Sequence, residues 1–233
     1  PLSHRMTVAE YKTLAEKTID EILERNHVPI LCGGTMFWTD AVIENFHIPA
    51  GEPDHEWRSE QEARSVDSLL SELRTVDPAE AGRLSNNKNK RYIIRALEIA
   101  QMSGKTKTEL AKKGPRKYEV YKIGVSWDRE TLYQRINERT QAQLETGLIE
   151  EVRGICERFA EGKPEKLLEL AWPSLTSIGM KEVIPYLRGE ISQDELQTTL
   201  SQHNRNYAKR QMTWYRKDTE IHWFIPSLSS RPS

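Results

Sequence analysis

The chain has 233 residues, which is enough for one sizeable hydrophobic core with a small second lobe. Hydrophobic residues make up 37% of the sequence and charged residues 30%, and the formal net charge is −1. This composition excludes a globally basic nucleic-acid-binding protein, so any attraction to RNA must come from local patches. No apolar run approaches the roughly 20 residues of a membrane helix, and "PLSHRMTVAE" lacks the apolar region of a signal peptide. We therefore expect a soluble protein with no membrane partner.

Two further features concern the compartment and the first residue. Cys32 and Cys156 lie far apart and outside any CxxC or Cys/His cluster, which argues against a zinc site or a disulfide framework. A reducing, cytoplasmic compartment is the expectation. The sequence begins at Pro1 and passes directly into a helical pattern. We expect that it is a piece whose N-terminal part is absent.

The first 45 residues show a helix followed by an apolar run. Thr7 and Glu10 form a capping box, and apolar residues at helical spacing predict a helix to about Asn26. The run "VPILCGG" is short, apolar and ended by two glycines, which predicts a buried parallel strand. A helix followed by a buried strand indicates a doubly wound α/β sheet.

The next segment is polar and charged, with early prolines and later helical periodicity. We predict a helical insertion over residues 46–85, between a first core part, 1–45, and a second core part, 86–233. Asp77 and Pro78 are typical of an N-cap followed by proline at the first helical position. The run "KNKRYIIRALEIAQMSG" predicts a further helix, capped by Gly104.

The remainder alternates one strand with several helices. "YEVYKIGVSW" predicts a strand, Asp128 caps the following helix, and Gly147 ends or bends it before "LIEEVRGICERFAEG". "GMKEVIPYLRG" predicts another helix, and a capping box from Ser192 to Glu195 begins a long last one. The predicted fold is therefore α/β and predominantly helical.

The tripeptide Gly104-Lys105-Thr106 copies the last three positions of a phosphate-binding P-loop. A P-loop requires G-x-x-x-x-G-K-[ST] between a strand and a helix, because its backbone amides and the helix N-terminus hold the phosphates. Ile99 stands where the first glycine is required, inside a predicted helix. We therefore interpret this tripeptide as a helix end and a turn.

Five short blocks point together to one family. They are "GGT" at 33–35, "RALE" at 95–98, "QRINERTQAQLETGLIEEV" at 134–152, "SIGMKE" at 177–182 and "AKRQMTWYR" at 208–216. Their order and spacing resemble those of the bacterial tRNA dimethylallyltransferases, over nearly the whole chain. The last two blocks are the most diagnostic.

The resemblance implies a fold, a reaction and a cofactor. The fold is a P-loop-NTPase-like parallel sheet, of the type that binds nucleotides such as ATP, with a helical insertion and C-terminal tRNA-binding helices. The reaction transfers the dimethylallyl group of dimethylallyl diphosphate to N6 of the adenosine 3′ of the anticodon, with Mg²⁺. The family's P-loop and aspartate-bearing segment should lie upstream of Pro1, so we expect no complete active site within this chain alone. The implied partners are a tRNA anticodon stem-loop and dimethylallyl diphosphate, bound by a monomer.

The transfer requires groups that stabilise the negative charge growing on the diphosphate. Arg135 and Arg139 are four residues apart on one helix face, which suits a two-pronged contact with a diphosphate. Spacing alone leaves a solvated helix open, in which Glu138 and Glu145 pair with these arginines. The resemblance favours the diphosphate, because the family's R-x-x-x-R motif matches these positions. It implies catalytic roles for Thr35, Arg135 and Arg139, diphosphate contacts from these three with Gly33 and Gly34, and a metal contact from Thr35.

A basic segment near the C-terminus is the candidate RNA-binding surface. Residues 205–217 hold five basic residues and no acidic one, a pattern that suits a phosphate backbone, with aromatic residues that pack inward or stack on bases. A cationic helix lying over the core is the alternative. Arg205 is a candidate contact because it shares one helical face with Lys209 and Arg216. The resemblance implies tRNA contacts at Arg91, Tyr92, Arg95, Thr176, Ser177, Ile178, Gly179, Met180, Lys181, Lys209, Arg210, Gln211, Thr213, Trp214 and Arg216.

Several positions depart from the family pattern. Asp40 stands where a basic residue is frequent, Tyr92 replaces an arginine, and Met180 replaces a tyrosine. The C-terminal zinc finger of eukaryotic members is missing, which favours a bacterial origin. Two other classes of function remain as alternatives, a P-loop kinase or nucleotide-dependent transferase and a non-catalytic RNA-binding module.

Overall fold

The computed structural model describes residues 2–4, 6–48, 54–110, 114–170 and 172–226. The chain divides into two compact units. The N-terminal unit is Thr7–Val120, and the C-terminal unit is Tyr121–Ser233 together with Pro1–Met6. The predicted boundaries at residues 45 and 85 concern a different division, between core and insertion, and stay a prediction. Part of the predicted insertion, residues 49–53, lies outside the described residues, as does Pro1.

The described part of the N-terminal unit is helical. Its first helix begins at the predicted capping box, where Thr7 and Glu10 satisfy each other's backbone N–H groups. Asp77 caps a helix with Pro78 at its first position, and Gly104 ends the next helix in the left-handed conformation with φ 65°, both as predicted. The helices are α1 Val8–Glu24, α2 Met36–Ile43, α3 His55–Ala63, α4 Val66–Val76, α5 Pro78–Leu84, α6 Lys90–Ser103 and α7 Lys107–Leu110.

The core of this unit lies between α4, α5 and α6. These helices bury leucine, isoleucine and alanine side chains at helical spacing, so each contributes one apolar face. Away from this core, Tyr11 of α1 packs on Trp38 of α2, with 4.9 Å between ring centroids. The buried side chains of the core are Leu69, Leu70, Leu73, Ala81, Leu84, Ile93, Ile94, Ala96 and Leu97.

The prediction of a strand for "VPILCGG" is wrong. Residues 27–34 form no strand, and the side chains of Val28 and Ile30 are 86% exposed. A strand requires a hydrogen-bonded neighbour, and the only strand pairing among the described residues is found in the other unit. The apolar pattern alone therefore did not determine the structure of this segment.

The C-terminal unit combines a two-stranded parallel sheet with a helical bundle. The strand β1, Lys122–Val125, pairs in parallel with β2, Ile221–Phe224, and Lys122 lies opposite Ile221. Gly124 allows this pairing, because a Cβ atom there would lie 2.6 Å from the Trp223 ring. The helices are α8 Arg129–Glu145, α9 Leu148–Phe159, α10 Pro164–Glu169, the 3-10 helix Pro173–Thr176, α11 Met180–Leu187 and α12 Gln193–Tyr215.

Local signals predicted the helix ends of this unit correctly. Asp128 caps α8, Gly147 separates α8 from α9 with φ 105°, and Ser192 with Glu195 forms the capping box of α12. The helices pack on a core from α8 to α12, and the parallel pairing confirms the predicted, predominantly helical α/β class. None of the described helices is long and apolar enough to cross a bilayer. The core side chains are Leu144, Val152, Cys156, Ala160, Leu167, Leu175, Val183, Ile184, Leu196 and Leu200.

Candidate active site and RNA-binding surface

Thr35 lies at the N-terminus of α2 and precedes the first helical residue. Its carbonyl oxygen accepts the first helical hydrogen bonds, from the N–H groups of Trp38 and Thr39. Its side chain is exposed and makes no capping hydrogen bond. Within the described residues the Thr35 hydroxyl has no hydrogen-bond partner, and a Cβ atom at Gly33 would meet no atom within 4 Å. The Thr35 hydroxyl and the space beside Gly33 are therefore open to a ligand.

Arg135 and Arg139 are exposed on one face of α8, as their spacing predicts. The Arg135 guanidinium lies over the Trp127 ring, 4.8 Å from its centroid, which orients the side chain without neutralising its charge. Neither arginine forms an ion pair with any described residue. The two acidic residues that could pair with these arginines have other partners, since Glu138 accepts a hydrogen bond from Gln134 and Glu145 accepts one from Gln141. The intrahelical ion pairs that would have occupied both arginines do not form.

Thr35 belongs to the N-terminal unit, whereas Arg135 and Arg139 belong to the C-terminal unit. Among the described residues, no three His, Cys, Asp or Glu side chains cluster closely enough to hold a metal ion. The C-terminal unit offers two guanidinium groups as candidate phosphate contacts, and the N-terminal unit offers one hydroxyl.

Arg91, Tyr92 and Arg95 lie on α6 in different settings. Arg91 is exposed and has no hydrogen bond or ion pair with any described residue. The Tyr92 ring is half exposed, with the Lys107 ammonium 6.0 Å from its centroid. Arg95 instead donates to the buried carboxylate of Glu98.

Glu98 is the centre of an ion-pair cluster that the sequence did not predict. Its side chain is 1% exposed and accepts two hydrogen bonds from Arg58 of α3, at 2.7 and 2.6 Å. Burial raises the pKa of the Glu98 carboxyl, but the hydrogen bonds from Arg58 and Arg95 outweigh it and hold that pKa below its ordinary value. Much of the Arg95 charge is therefore committed to the fold, although its side chain is 39% exposed.

The turn before α11 contains both residues that are buried in the C-terminal unit and residues that are exposed to solvent. Ile178 and Met180 pack against the core of the C-terminal unit, and Gly179 is buried. Thr176, Ser177 and Lys181 are exposed. Of the six residues predicted here, the three exposed ones present side chains that can contact RNA.

The basic segment, residues 205–217, covers the end of α12 and its C-cap. Lys209, Arg210 and Arg216 are exposed and form no ion pair with a described residue, and Arg210 lies over the Tyr207 ring. Trp214 is 44% exposed. Arg205 differs, because it lies over the Tyr133 ring and its Nε is buried without a hydrogen bond. Gln211 is half-buried, and the Thr213 hydroxyl donates to the Lys209 carbonyl oxygen.

Gly104-Lys105-Thr106 has the geometry of a helix end. Gly104 is the left-handed C-cap of α6, and its N–H donates to the Ala100 carbonyl oxygen. The negative end of the α6 dipole therefore lies at Gly104, and Thr106 exchanges hydrogen bonds with Glu109 at the start of the four-residue helix α7. The interpretation as a turn is confirmed.

Fold and site define a helical α/β protein with exposed, unpaired cations suited to polyanionic ligands. The IPP transferase family model matches residues 1–218. The tRNA dimethylallyltransferase of Halalkalibacterium halodurans is 37% identical over 229 residues, which cover 95% of this chain and 70% of the relative. The tRNA dimethylallyltransferase of Limosilactobacillus reuteri is 33% identical, and the match covers 96% of this chain and 71% of the relative.

Solved structures agree with these matches. The tRNA isopentenylpyrophosphate transferase from Bacillus halodurans is 34% identical, with a TM-score of 0.63, over 96% of this chain and 68% of that one. The tRNA delta(2)-isopentenylpyrophosphate transferase from Staphylococcus epidermidis is 29% identical, with a TM-score of 0.59, and the match covers 97% of this chain and 72% of that one. The chain belongs to the IPP transferase family, and the family predicted from the five blocks is confirmed.

Proposed function

We propose that the protein transfers the dimethylallyl group of dimethylallyl diphosphate to an adenosine in tRNA. Membership of the family supports this activity, since the relatives are named for it. The observation that supports the proposal for this chain is that the charges of Arg135 and Arg139 are exposed and unpaired among the described residues. Both are exposed on one face of α8 and lack an acidic partner among the described residues, as a diphosphate site requires.

The reaction is a substitution at the allylic carbon. The adenosine N6 attacks this carbon, the bond from carbon to the diphosphate oxygen breaks with its electron pair on the diphosphate, and N6 loses a proton to a base. Arg135 and Arg139 donate hydrogen bonds to the diphosphate oxygens, where negative charge grows in the transition state. We propose the Thr35 hydroxyl, in the N-terminal unit, as a hydrogen-bond donor to a phosphate group.

We propose Mg²⁺ as the cofactor. Mg²⁺ is often held by substrate phosphates, waters and few protein oxygens, and bound in this way it neutralises charge on the leaving group. The described residues offer one oxygen from the sequence prediction, the Thr35 hydroxyl, and no carboxylate cluster. This fits an ion bound mainly by the diphosphate.

The target that we propose is N6 of the adenosine 3′ of the anticodon. A base in a loop leaves its stack at a lower cost than one in a duplex, which favours an anticodon stem-loop as substrate. The exposed cations of the basic segment and the exposed Trp214 ring support a single-stranded RNA ligand. Lys181 and Arg91 add exposed positive charge elsewhere.

The test follows labelled dimethylallyl transfer by the gene product that contains these 233 residues. The substrates are an anticodon stem-loop with adenosine 3′ of the anticodon and, as a control, the same RNA with guanosine there. We expect label in the adenosine RNA only, and in the presence of Mg²⁺. A folded protein that labels neither RNA refutes the proposed activity, and one that binds RNA without transfer favours a non-catalytic RNA-binding module.

We also propose that the protein acts as a cytoplasmic monomer. Cys32 and Cys156 are free, as in a reducing compartment, although Cys32 is exposed. Light scattering coupled to gel filtration tests the oligomeric state. A mass of two or more chains at micromolar concentration contradicts the monomer.

A further inference from the structure

Glu182 is a buried carboxylate that connects two elements of the C-terminal unit. It lies in the first turn of α11, and its side chain is 1% exposed. Its Oε2 accepts a hydrogen bond of 2.7 Å from the Gly179 N–H, and its Oε1 lies 2.5 Å from Nδ1 of His203 on α12. With the proton on Nδ1, His203 donates this hydrogen bond and the carboxylate oxygen accepts it. One side chain thus connects the turn before α11 to α12.

The turn that Glu182 holds needs this support. Gly179 has φ 108° and ψ −60°, a conformation that residues with a side chain rarely adopt. The residues before it, Thr176 and Ser177, are exposed and donate only to backbone carbonyls of the same turn. Lys181 is also exposed, and its Nζ lies 3.6 Å from Glu182 Oε1. The position of this exposed ammonium therefore depends on the buried carboxylate.

The other end of the connection lies at the start of the basic segment. His203 is 40% exposed and precedes Arg205 by two residues on α12. Lys209, Arg210 and Arg216 follow, exposed and without ion pairs among the described residues. Through His203, the carboxylate of Glu182 fixes the turn that carries Lys181 relative to the helix that carries these cations.

We propose that Glu182 and His203 are positioning residues for the RNA substrate. They hold the turn at residues 177–181 at a fixed distance from the basic segment, so that both contact one RNA backbone. Neither residue touches the reacting atoms. The inference rests on the proposed RNA substrate and adds to it the pair that aligns the two surfaces.

The first variant is Glu182→Gln, tested in the gene product used for the transfer assay. The amide oxygen can still accept from the Gly179 N–H, whereas the amide NH2 opposes an N–H at Nδ1 of His203, so the connection to α12 is weakened unless the imidazole changes tautomer. We expect the KM for the anticodon stem-loop to rise about tenfold, with the KM for dimethylallyl diphosphate within about twofold of wild type. Loss of folded protein alone lowers kcat and leaves both KM values unchanged.

Glu195→Gln is the matched control. Glu195 forms the same capping contact, because its Oε2 accepts a hydrogen bond of 2.7 Å from the Ser192 N–H. Its second hydrogen bond comes from the Ser192 hydroxyl and not from another helix. We expect this variant to leave the KM for RNA at the wild-type value. An equal rise in both variants means that capping, and not the connection to α12, sets RNA binding, and it overturns the proposal.

A second pair of variants changes only the α12 side. His203→Asn keeps an N–H donor near the position of Nδ1, whereas His203→Leu removes it. We expect His203→Leu to raise the KM for RNA and His203→Asn to restore it towards wild type. Equal KM values for both variants and for wild type overturn the inference while leaving the proposed activity intact, whereas a wild-type protein without transfer refutes the proposed function itself.

Discussion

Arginines of the two units lie in opposite electrostatic settings. In the N-terminal unit, Arg58 and Arg95 donate to the buried carboxylate of Glu98, so they stabilise the packing of α3 against α6. In the C-terminal unit, Arg135 and Arg139 are exposed on α8 and have no acidic partner among the described residues. The same residue type therefore serves the fold in one place and remains open to a ligand in the other.

The difference depends on which acidic side chains lie near each arginine, both along its own helix and on neighbouring helices of the same unit. Glu98 follows Arg95 by three residues, within reach on the same helix face, and burial makes the pair necessary because an isolated buried carboxylate is costly. Glu138 and Glu145 are also near the α8 arginines in sequence, yet glutamines on the same helix occupy them. Proximity in sequence does not by itself decide which cations are free.

The largest expected effect comes from removing the free cations. Arg139→Gln and Arg135→Gln should each lower kcat for dimethylallyl transfer about 100-fold, because a donor to the developing diphosphate charge is lost. Arg153→Gln is the control, since Arg153 is an exposed helical arginine that pairs with Glu150. Steady-state kinetics of the three variants checks this. Equal losses in all three would show that general surface charge, and not the α8 pair, supports the reaction.

The next effect is on stability and concerns the paired cations. Glu98→Gln should lower the free energy of unfolding by about 2 kcal/mol, since three charge-assisted hydrogen bonds are weakened in a buried site. Urea unfolding measures it, with Glu60→Gln on the exposed surface of α3 as the control. An unchanged stability of Glu98→Gln would mean that the cluster contributes no net stability.

The helix ends of both units could be predicted because their signals are local. Thr7, Asp77, Asp128 and Ser192 each cap a helix within three residues, and Gly104 ends one through its own backbone conformation. Strand formation is not local. The apolar run at residues 28–34 therefore gave a wrong strand, and β2 was not predicted.

The candidate site divides in the same way. Arg135 and Arg139 could be found from their spacing together with the family motif, but whether they were paired required the structure. The contacts of Glu98 with Arg58 and of Glu182 with His203 join residues 40 and 21 positions apart, and no periodicity signals them. The sequence "GMKE" offered one indication, because a glutamate three residues after the start of a helix is typical of a capping box.

A smaller effect concerns pH. The folded state holds the pKa of Glu98 below its ordinary value, so this carboxylate stabilises the fold above its unfolded pKa, and the contribution is lost as the pH falls through the folded pKa. We expect wild-type stability to decrease below about pH 4, and to decrease less in Glu98→Gln. Urea unfolding of both proteins across this range is the measurement. Parallel curves would contradict the assignment.

The smallest effect compares two arginines of α6 in RNA binding. Arg91 is free and Arg95 is committed to Glu98, so Arg91→Ala should weaken RNA binding and reduce the slope of log K against log salt by about one. Arg95→Ala should change that slope less and lower the stability instead. Binding titrations at several salt concentrations decide between them. A larger slope change in Arg95→Ala would reverse the comparison.

Diphosphate binding tests the contrast between free and paired arginines most directly. The measurement is calorimetric titration of inorganic diphosphate, in the presence of Mg²⁺, and it needs neither RNA nor turnover. It compares wild type, the double variant Arg135→Gln/Arg139→Gln and the control Arg153→Gln. Because two charge-assisted contacts are lost together, we expect affinity to fall at least about tenfold in the double variant and to stay at the wild-type value in the control. Equal affinity in all three proteins would contradict the assignment of Arg135 and Arg139 as the diphosphate-binding pair.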